Sequence, residues 1–319
     1  MLPTVLDVYR ARRRIGHRVG PTPLRPSSWL SSIANGQVFI KNESANLTSS
    51  FKIRGALNAA LRLSEGEPRQ PTLVTASAGN HGRSLALAAE QLGLPCVVFT
   101  PASAPQVKQA AIRRHGAVLH SDNADYDAAE RRARAFADAE GGLYVSPYNH
   151  PDVVAGAGTI GLEIIATMPV LDVVVVPMGG GGLVSGVGLA MKAAAPRTRV
   201  VGVEVQASAP FTVSLKAGRI TEITPQPSLA DALVGNLEPE SITFPLVEQV
   251  VDEVVTVSEQ ELAQAMKGLA SEERLIVEGG AAAGVAAIVN GKASTPGQRV
   301  VALVTGGNVD LPKWLNTIG

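Results

Sequence analysis

Short runs of apolar, β-branched residues recur along the chain, each closed by glycine or another small residue and followed by an alanine-rich stretch with helical spacing. A strand predicted over 72–75 leads into a helix over 82–92, one over 96–99 into a helix over 106–115, and one over 173–176 into a helix over 186–194. Continuous apolar strands are usually buried on both faces, and strand–helix alternation is the mark of a parallel sheet. Further strands are predicted over 200–205 and 300–305, and a helix over 259–270. The absence of a repeat of about 20 to 50 residues excludes a solenoid.

Proline and glycine cluster over 64–71 and again over 144–151, bracketing a central block. The reading is an α/β protein of two parallel-sheet domains: a smaller one, 72–147, inserted into a larger one made of 1–71 and 148–319. A cleft between two such domains is a preferred place for a small-molecule site.

Composition narrows the partners. At 319 residues and 45% hydrophobic, the chain can bury the core of about two domains. Basic and acidic side chains balance at 28 each, so no net field draws it to nucleic acid or an anionic membrane. The run Arg10-Ala11-Arg12-Arg13-Arg14 reads as one solvated helix face rather than a nucleic-acid patch. Cys96 is the only cysteine, which excludes an internal disulfide and fits a reducing compartment, with the cytoplasm expected. No apolar run approaches the roughly 20 residues of a membrane span, and the N-terminus lacks the apolar core of a signal peptide.

Only eight of the 28 basic residues are lysines, and Lys52 lies between Phe51 and Ile53 at the predicted start of a helix. A desolvated ammonium loses its charge readily and then acts as the free amine that a Schiff base requires. The plain alternative is a lysine whose stem lies on apolar surface while its head reaches water. Glycines 179–182 follow one predicted strand and precede a helix, where bare N–H groups and the helix dipole can cradle a phosphate. A tight turn needs only one or two glycines, so four in a row favour anion binding. With Glu204 on the next strand the unit also resembles a dinucleotide site, but no G-x-G-x-x-G or G-x-x-x-x-G-K-[ST] spacing fits. Ser77-Ala78-Gly79-Asn80-His81-Gly82 offers a second N-terminal anion site, suited to a carboxylate, although a serine cap with a glycine turn is common. Thr305-Gly306-Gly307-Asn308 is a third strand-to-glycine turn.

Together these segments resemble the fold-type II pyridoxal phosphate enzymes, in particular the threonine/serine dehydratase and serine racemase group. The resemblance spans essentially the whole chain and rests on Ser50 to Ala56, Ala76 to Gly82, Ala155-Gly156-Ala157-Gly158-Thr159, Gly179 to Gly182, Glu278 and Thr305 to Asn308. It implies a tryptophan synthase β-like fold with pyridoxal 5'-phosphate between the domains. Lys52 would hold the cofactor as a Schiff base, and Gly179, Gly180, Gly181, Gly182 and Leu183 would bind its phosphate. Phe51 would pack near the ring, Asn80 would meet the ring hydroxyl, Thr305 the pyridine nitrogen, and Glu278 and Gly306 would complete the wall. Ser77, Ala78, Gly79, Asn80 and His81 would hold the substrate carboxylate, orienting Cα–H towards Lys52.

The resemblance also implies a reaction. A neutral Thr305 hydroxyl does not keep the ring nitrogen protonated as an aspartate would, so the ring is a weaker electron sink and expulsion of a β-hydroxyl is favoured over transamination. Lys52 would take the Cα proton, the hydroxyl would leave with a proton from the cofactor phosphate, and hydrolysis would give a 2-oxo acid and ammonia. A 3-hydroxy amino acid, threonine or serine by default and bulkier or acidic ones by extension, is the expected substrate of a dimeric ammonia-lyase. A racemase is the nearest alternative, and a dinucleotide-dependent oxidoreductase the alternative from another class.

Several positions depart from the pattern. Serine racemases carry a serine where Ala78 stands, and a methyl group cannot transfer a proton, so little racemisation is expected. Members with a divalent cation place an acidic residue six positions after the glutamate matching Glu204, where Pro210 stands here; a monovalent cation or none is expected. Ser49 and Ala232 stand where glycine is usual, and Tyr148, in place of phenylalanine, would add a hydroxyl near the pocket. The chain stops at Gly319, so no appended regulatory domain and no feedback by isoleucine are expected.

Overall fold

The computed structural model describes residues 1–65, 70–77 and 79–319. Residues 66–69 of the first proline–glycine cluster, and Ala78, lie outside the described residues. Among the described residues ten strands form two sheets. In the first, β1 (Leu24–Pro26), β2 (Gln37–Asn42), β7 (Val173–Pro177), β8 (Arg199–Val205), β9 (Glu253–Val257) and β10 (Arg299–Val304) run in the order β1-β2-β10-β7-β8-β9. All neighbours are parallel except β1, which pairs antiparallel with β2. In the second, β3 (Leu73–Ala76), β4 (Cys96–Pro101), β5 (Val118–Asn123) and β6 (Leu143–Tyr144) run β5-β4-β3-β6, all parallel.

The α/β architecture with parallel sheets is therefore as the apolar runs predict, with shifted ends. The helix expected over 82–92 spans Asn80–Leu92, and that over 186–194 starts earlier, at Gly182–Ala194, because both glycine-rich turns feed directly into helix. The strands β3 and β7 are fully buried, as continuous apolar strands require. Among the described residues no helix is long and apolar enough to cross a membrane.

Two features place the site. In the first sheet β2, β10 and β7 lie side by side and parallel, so their carboxyl ends share one edge. That edge delivers the Lys52 loop, the Thr305 turn and the glycine turn together, where α/β sheets bind ligands. Beneath it the helix Pro151–Thr167 packs between the helices Lys52–Ser64 and Gly182–Ala194. The contacts are almost backbone on backbone: a Cβ on Gly156 would lie 2.4 Å from the Arg54 carbonyl oxygen, and one on Gly186 2.3 Å from that of Val154. The Ala155-Gly156-Ala157-Gly158 run thus locks the two helices that carry the lysine and the glycine turn. The Lys52–Ser64 helix also shares an apolar core with the second sheet, through Ile53, Leu57, Leu73, Leu85 and Val98.

Candidate active site

From β2 the chain passes a short 3-10 turn, Glu43–Ala45, and enters the helix at Lys52. On the way it is clipped to the end of β10: Phe51 N–H donates to the Thr305 carbonyl at 3.0 Å and Gly307 N–H to that of Ser49 at 2.9 Å. Ser49 adopts φ 52°, the left-handed region that glycine enters freely and a residue with a Cβ enters at a cost. The glycine usual at this position has a backbone reason. Ala232, by contrast, is not in that region, and its side chain faces Gly280.

Lys52 Nζ donates to the Pro147 carbonyl at 2.7 Å and stands 5.1 Å from the Phe51 ring centroid. Burial pulls its pKa down to about 8, against the opposing charge of Glu278. An unpaired ammonium in this position releases its proton near physiological pH, as amine chemistry requires.

Next to Pro147, Tyr148 lies beneath the glycine turn. A Cβ on Gly180 would fall 2.4 Å from Tyr148 Cγ, and one on Gly181, at φ 80°, 2.5 Å from Phe211 Cζ. Thr243 Oγ1 donates to the Gly180 carbonyl at 2.8 Å, fixing the turn from the same side. Gly179 abuts Leu233, and Leu183 is buried in the core. The turn opens the helix Gly182–Ala194, whose first N–H groups lack intrahelical partners and carry the positive end of the dipole. The extra hydroxyl of Tyr148 is already engaged, accepting the Glu238 N–H at 2.9 Å.

Across from this turn, Ser77 continues β3 and accepts the Gly79 N–H on Oγ at 3.2 Å, while Asn80 begins the helix Asn80–Leu92. His81 is buried, and its Nε2 faces the Val145 carbonyl at 3.1 Å. A carbonyl only accepts, so Nε2 carries the hydrogen and Nδ1 is left as a lone pair. Burial, then the charge of Lys52, pushes the ring pKa down to about 3. The ring is neutral with no hydrogen to offer, so the means His81 has of holding a carboxylate is its main-chain N–H.

Glu278 closes the set. Its Oε1 accepts from Asn80 Nδ2 at 2.6 Å, its Oε2 is buried without a partner among the described residues, and a Cβ on Gly306 would lie 2.1 Å from Oε1. Burial raises its pKa to about 7, moderated by Lys108. Thr305 is buried, and its carbonyl accepts the Phe51 N–H. Lys108, which sequence reading passed over as one more helix residue, lays its stem against Gly79 and pairs with Asp231 at 2.7 Å. The Pro147 carbonyl was equally invisible, since any residue supplies that group. Of the predicted residues, Asn80, Glu278 and Gly306 meet directly, Lys52 reaches the Pro147 carbonyl, and Tyr148 next to it packs against the glycine turn, while Leu183 lies in the apolar core.

Glu204 is turned to another task. Its Oε1 accepts the Phe211 N–H at 2.8 Å, and its Oε2 accepts the Thr212 N–H at 2.8 Å and the Thr212 hydroxyl at 2.6 Å. It caps the helix Pro210–Ala217, whose first residue is the proline standing where a second acidic ligand would be. A carboxylate with three donors already on it is poorly placed to hold a divalent cation or a ribose.

The comparisons with known proteins agree with this geometry. The family described as pyridoxal-phosphate dependent enzyme matches residues 15–306, and the chain belongs to it. An L-threonine ammonia-lyase of Thermotoga maritima is 40% identical over 97% of this chain and 76% of that protein. The structure of the processed form of threonine deaminase isoform 2 from Solanum lycopersicum superposes with a TM-score of 0.89 at 31% identity, covering 99% of this chain and 92% of that one. A maize serine racemase structure gives 0.91 at 28% identity, covering 100% and 99%.

The cofactor of the protein is pyridoxal 5'-phosphate, and the residues present fit it. A half-buried amine of lowered pKa, a glycine turn walled by Tyr148 and Phe211 at a helix start, the unpaired Glu278 Oε2 and the Thr305 turn are the groups such a molecule would meet.

Proposed function

We propose that this protein is an ammonia-lyase that converts a 3-hydroxy amino acid, L-threonine or L-serine first, to a 2-oxo acid and ammonia. Its threonine ammonia-lyase and threonine deaminase relatives support the activity, and one observation carries the chemistry: Lys52 is a half-buried amine of lowered pKa bonded to the Pro147 carbonyl, next to the Tyr148 that packs against the glycine turn. When bound, pyridoxal 5'-phosphate supplies a conjugated ring that withdraws electrons from the substrate Cα. The N–H groups from Gly179 to Leu183 would hold its phosphate, and Lys52 Nζ would move the Cα proton. Ser77, Gly79 and the main-chain N–H groups at Asn80 and His81 hold the substrate carboxylate. Thr305 would face the ring nitrogen with a neutral hydroxyl, which would favour elimination over transamination. Ala78 carries only a methyl group, which supports a lyase over a racemase. The place for substrate is the cleft between 72–147 and the rest of the chain.

The test is direct. Purified protein is expected to be yellow, to lose the colour on borohydride reduction with the label fixed on Lys52, and to release ammonia and 2-oxo acid from L-threonine or L-serine. Lys52→Ala is expected to cost at least ~10²–10⁴-fold in turnover, the usual worth of a positioned proton carrier. Wild-type turnover in Lys52→Ala, or rapid inversion of L-serine by the native protein, would refute the reading.

A further inference from the structure

Four polar side chains from three separate segments form a line that ends in the site. Arg83 Nη1 donates to Asn308 Oδ1 at 2.6 Å. Asn308 Nδ2 donates to the Thr48 carbonyl at 2.8 Å and to Asn80 Oδ1 at 2.7 Å. Asn80 Nδ2 donates to Glu278 Oε1 at 2.6 Å. Arg83 and Asn80 lie in the first turn of one helix, Asn308 follows β10, and Glu278 precedes the helix Gly279–Val289.

An asparagine amide has nearly the same shape either way round, and its neighbours decide which end is which. A guanidinium only donates and a main-chain carbonyl only accepts. Asn308 stands between one of each, so Oδ1 must face Arg83 and Nδ2 must face Thr48. The second hydrogen on Asn308 Nδ2 then points at Asn80, which must answer with its own Oδ1. That leaves Asn80 Nδ2 on the far side, with one hydrogen on Glu278 and one to spare. Glu278 alone would not impose this orientation. Near neutrality its buried carboxyl divides between an acceptor and a protonated donor, and a protonated Glu278 would tolerate either end of the amide.

We propose that Arg83 and Asn308 are positioning residues that set which end of the Asn80 amide faces the cofactor, so that an N–H rather than a carbonyl meets the ring oxygen. The inference rests on the reading of Asn80 as the residue that meets that oxygen. An N–H stabilises the ring oxygen in its unprotonated, yellow form. A carbonyl would require the oxygen to carry a hydrogen, which is the form that absorbs in the near ultraviolet. Exchanging one for the other swings the ratio of the two forms by roughly 5- to 30-fold, the span of one or two ordinary hydrogen bonds.

The experiment is the absorption spectrum of the purified holoenzyme at one pH, compared across variants. Asn308→Asp removes the donor that Asn80 answers, whereas Arg83→Met leaves Asn308 held by the Thr48 carbonyl alone and so loosens its orientation without reversing it. Asn308→Asp is expected to move absorbance from the yellow band to the near-ultraviolet band by that factor and Arg83→Met by a smaller part of it, and Arg83→Lys, a donor without an acceptor, is expected to restore most of what Arg83→Met loses. A purely structural role would lower the melting temperature and leave the band ratio of the folded protein alone. Wild-type ratios in both Arg83→Met and Asn308→Asp would overturn the inference. If native protein lacks the yellow band altogether and borohydride leaves Lys52 unlabelled, the functional reading falls and the inference falls with it.

Discussion

Lys52 and Arg54 are two residues apart at the start of one helix, both cations drawn into the interior, and the fold treats them in opposite ways. Arg54 is enclosed by partners. Its Nε and Nη2 bond Glu43 at 2.8 and 3.0 Å, and its Nη1 and Nη2 bond Glu163 at 2.6 and 3.0 Å. Lys41 balances the second carboxylate, meeting Glu163 at 2.6 Å and the Thr22 carbonyl at 2.8 Å. Two cations and two carboxylates share the cluster. Burial works against the charge on Arg54, but Glu43 and Glu163 outweigh it and raise its pKa. Lys52 has one carbonyl and a half-protonated carboxyl nearby, and burial prevails. The difference separates a charge kept for structure from an amine kept for reaction.

Deleting each cation should break that comparison most visibly. Arg54→Leu would leave Glu43 and Glu163 buried with only Lys41 to balance them, and a loss of ~3–5 kcal/mol in folding stability is expected. Lys52→Met removes an amine that gains little from its surroundings, so stability should hold to within about 1 kcal/mol while activity vanishes. Urea denaturation of the two cofactor-free variants measures both, free of the contribution of bound ligand. Equal losses in the two variants would mean that the helix does not distinguish them.

The same contrast marks what was legible in the sequence. Lys52 could be picked out because its neighbours are apolar and because the glycine turns and Asn80 stand at the spacing of a known family. The parallel sheets followed from continuous apolar runs, which have few other ways to be buried. Arg54 attracted no notice, since its partners lie 11 and 109 residues away and no local pattern announces them. Nor could the sequence show that Glu204 would cap a helix, that His81 would be held neutral, or that Tyr148 would turn its hydroxyl to Glu238. Each depends on which strand end meets which loop, and that is decided by packing over long sequence separations.

His81 extends the uncompensated side of the comparison and makes a smaller, pH-dependent prediction. Its ring pKa is about 3 in the folded protein against an ordinary 6.5, so the folded state favours the neutral ring. The stability this contributes is fully present above pH 6.5 and drains away as the pH falls below that value, because the unfolded chain then binds a proton that the native one refuses. His150, held down to about 4 by burial, adds in the same direction. The melting temperature of cofactor-free protein is expected to fall on mild acidification, and His81→Gln, which keeps a donor for the Val145 carbonyl, should flatten part of that fall. An unchanged slope in His81→Gln would show that the ring is protonated without cost.

The smallest effect concerns the backbone that brings Lys52 to the site. Ser49 is held at φ 52° by the Gly307 N–H on its carbonyl, and its own N–H bonds the Asn46 carbonyl at 2.8 Å. A Cβ in that region costs roughly 1–2 kcal/mol, whereas glycine there costs nothing sterically but surrenders about 0.5–1 kcal/mol more chain freedom on folding. The two nearly cancel, so Ser49→Gly should stabilise the protein by only ~0–1 kcal/mol in urea denaturation. A clear loss of stability would mean that the serine makes an interaction outweighing its backbone cost, and the strain would then not belong to the Lys52 side of the helix. Ser49→Val, which adds β-branching at the same positive φ, should be the worse variant.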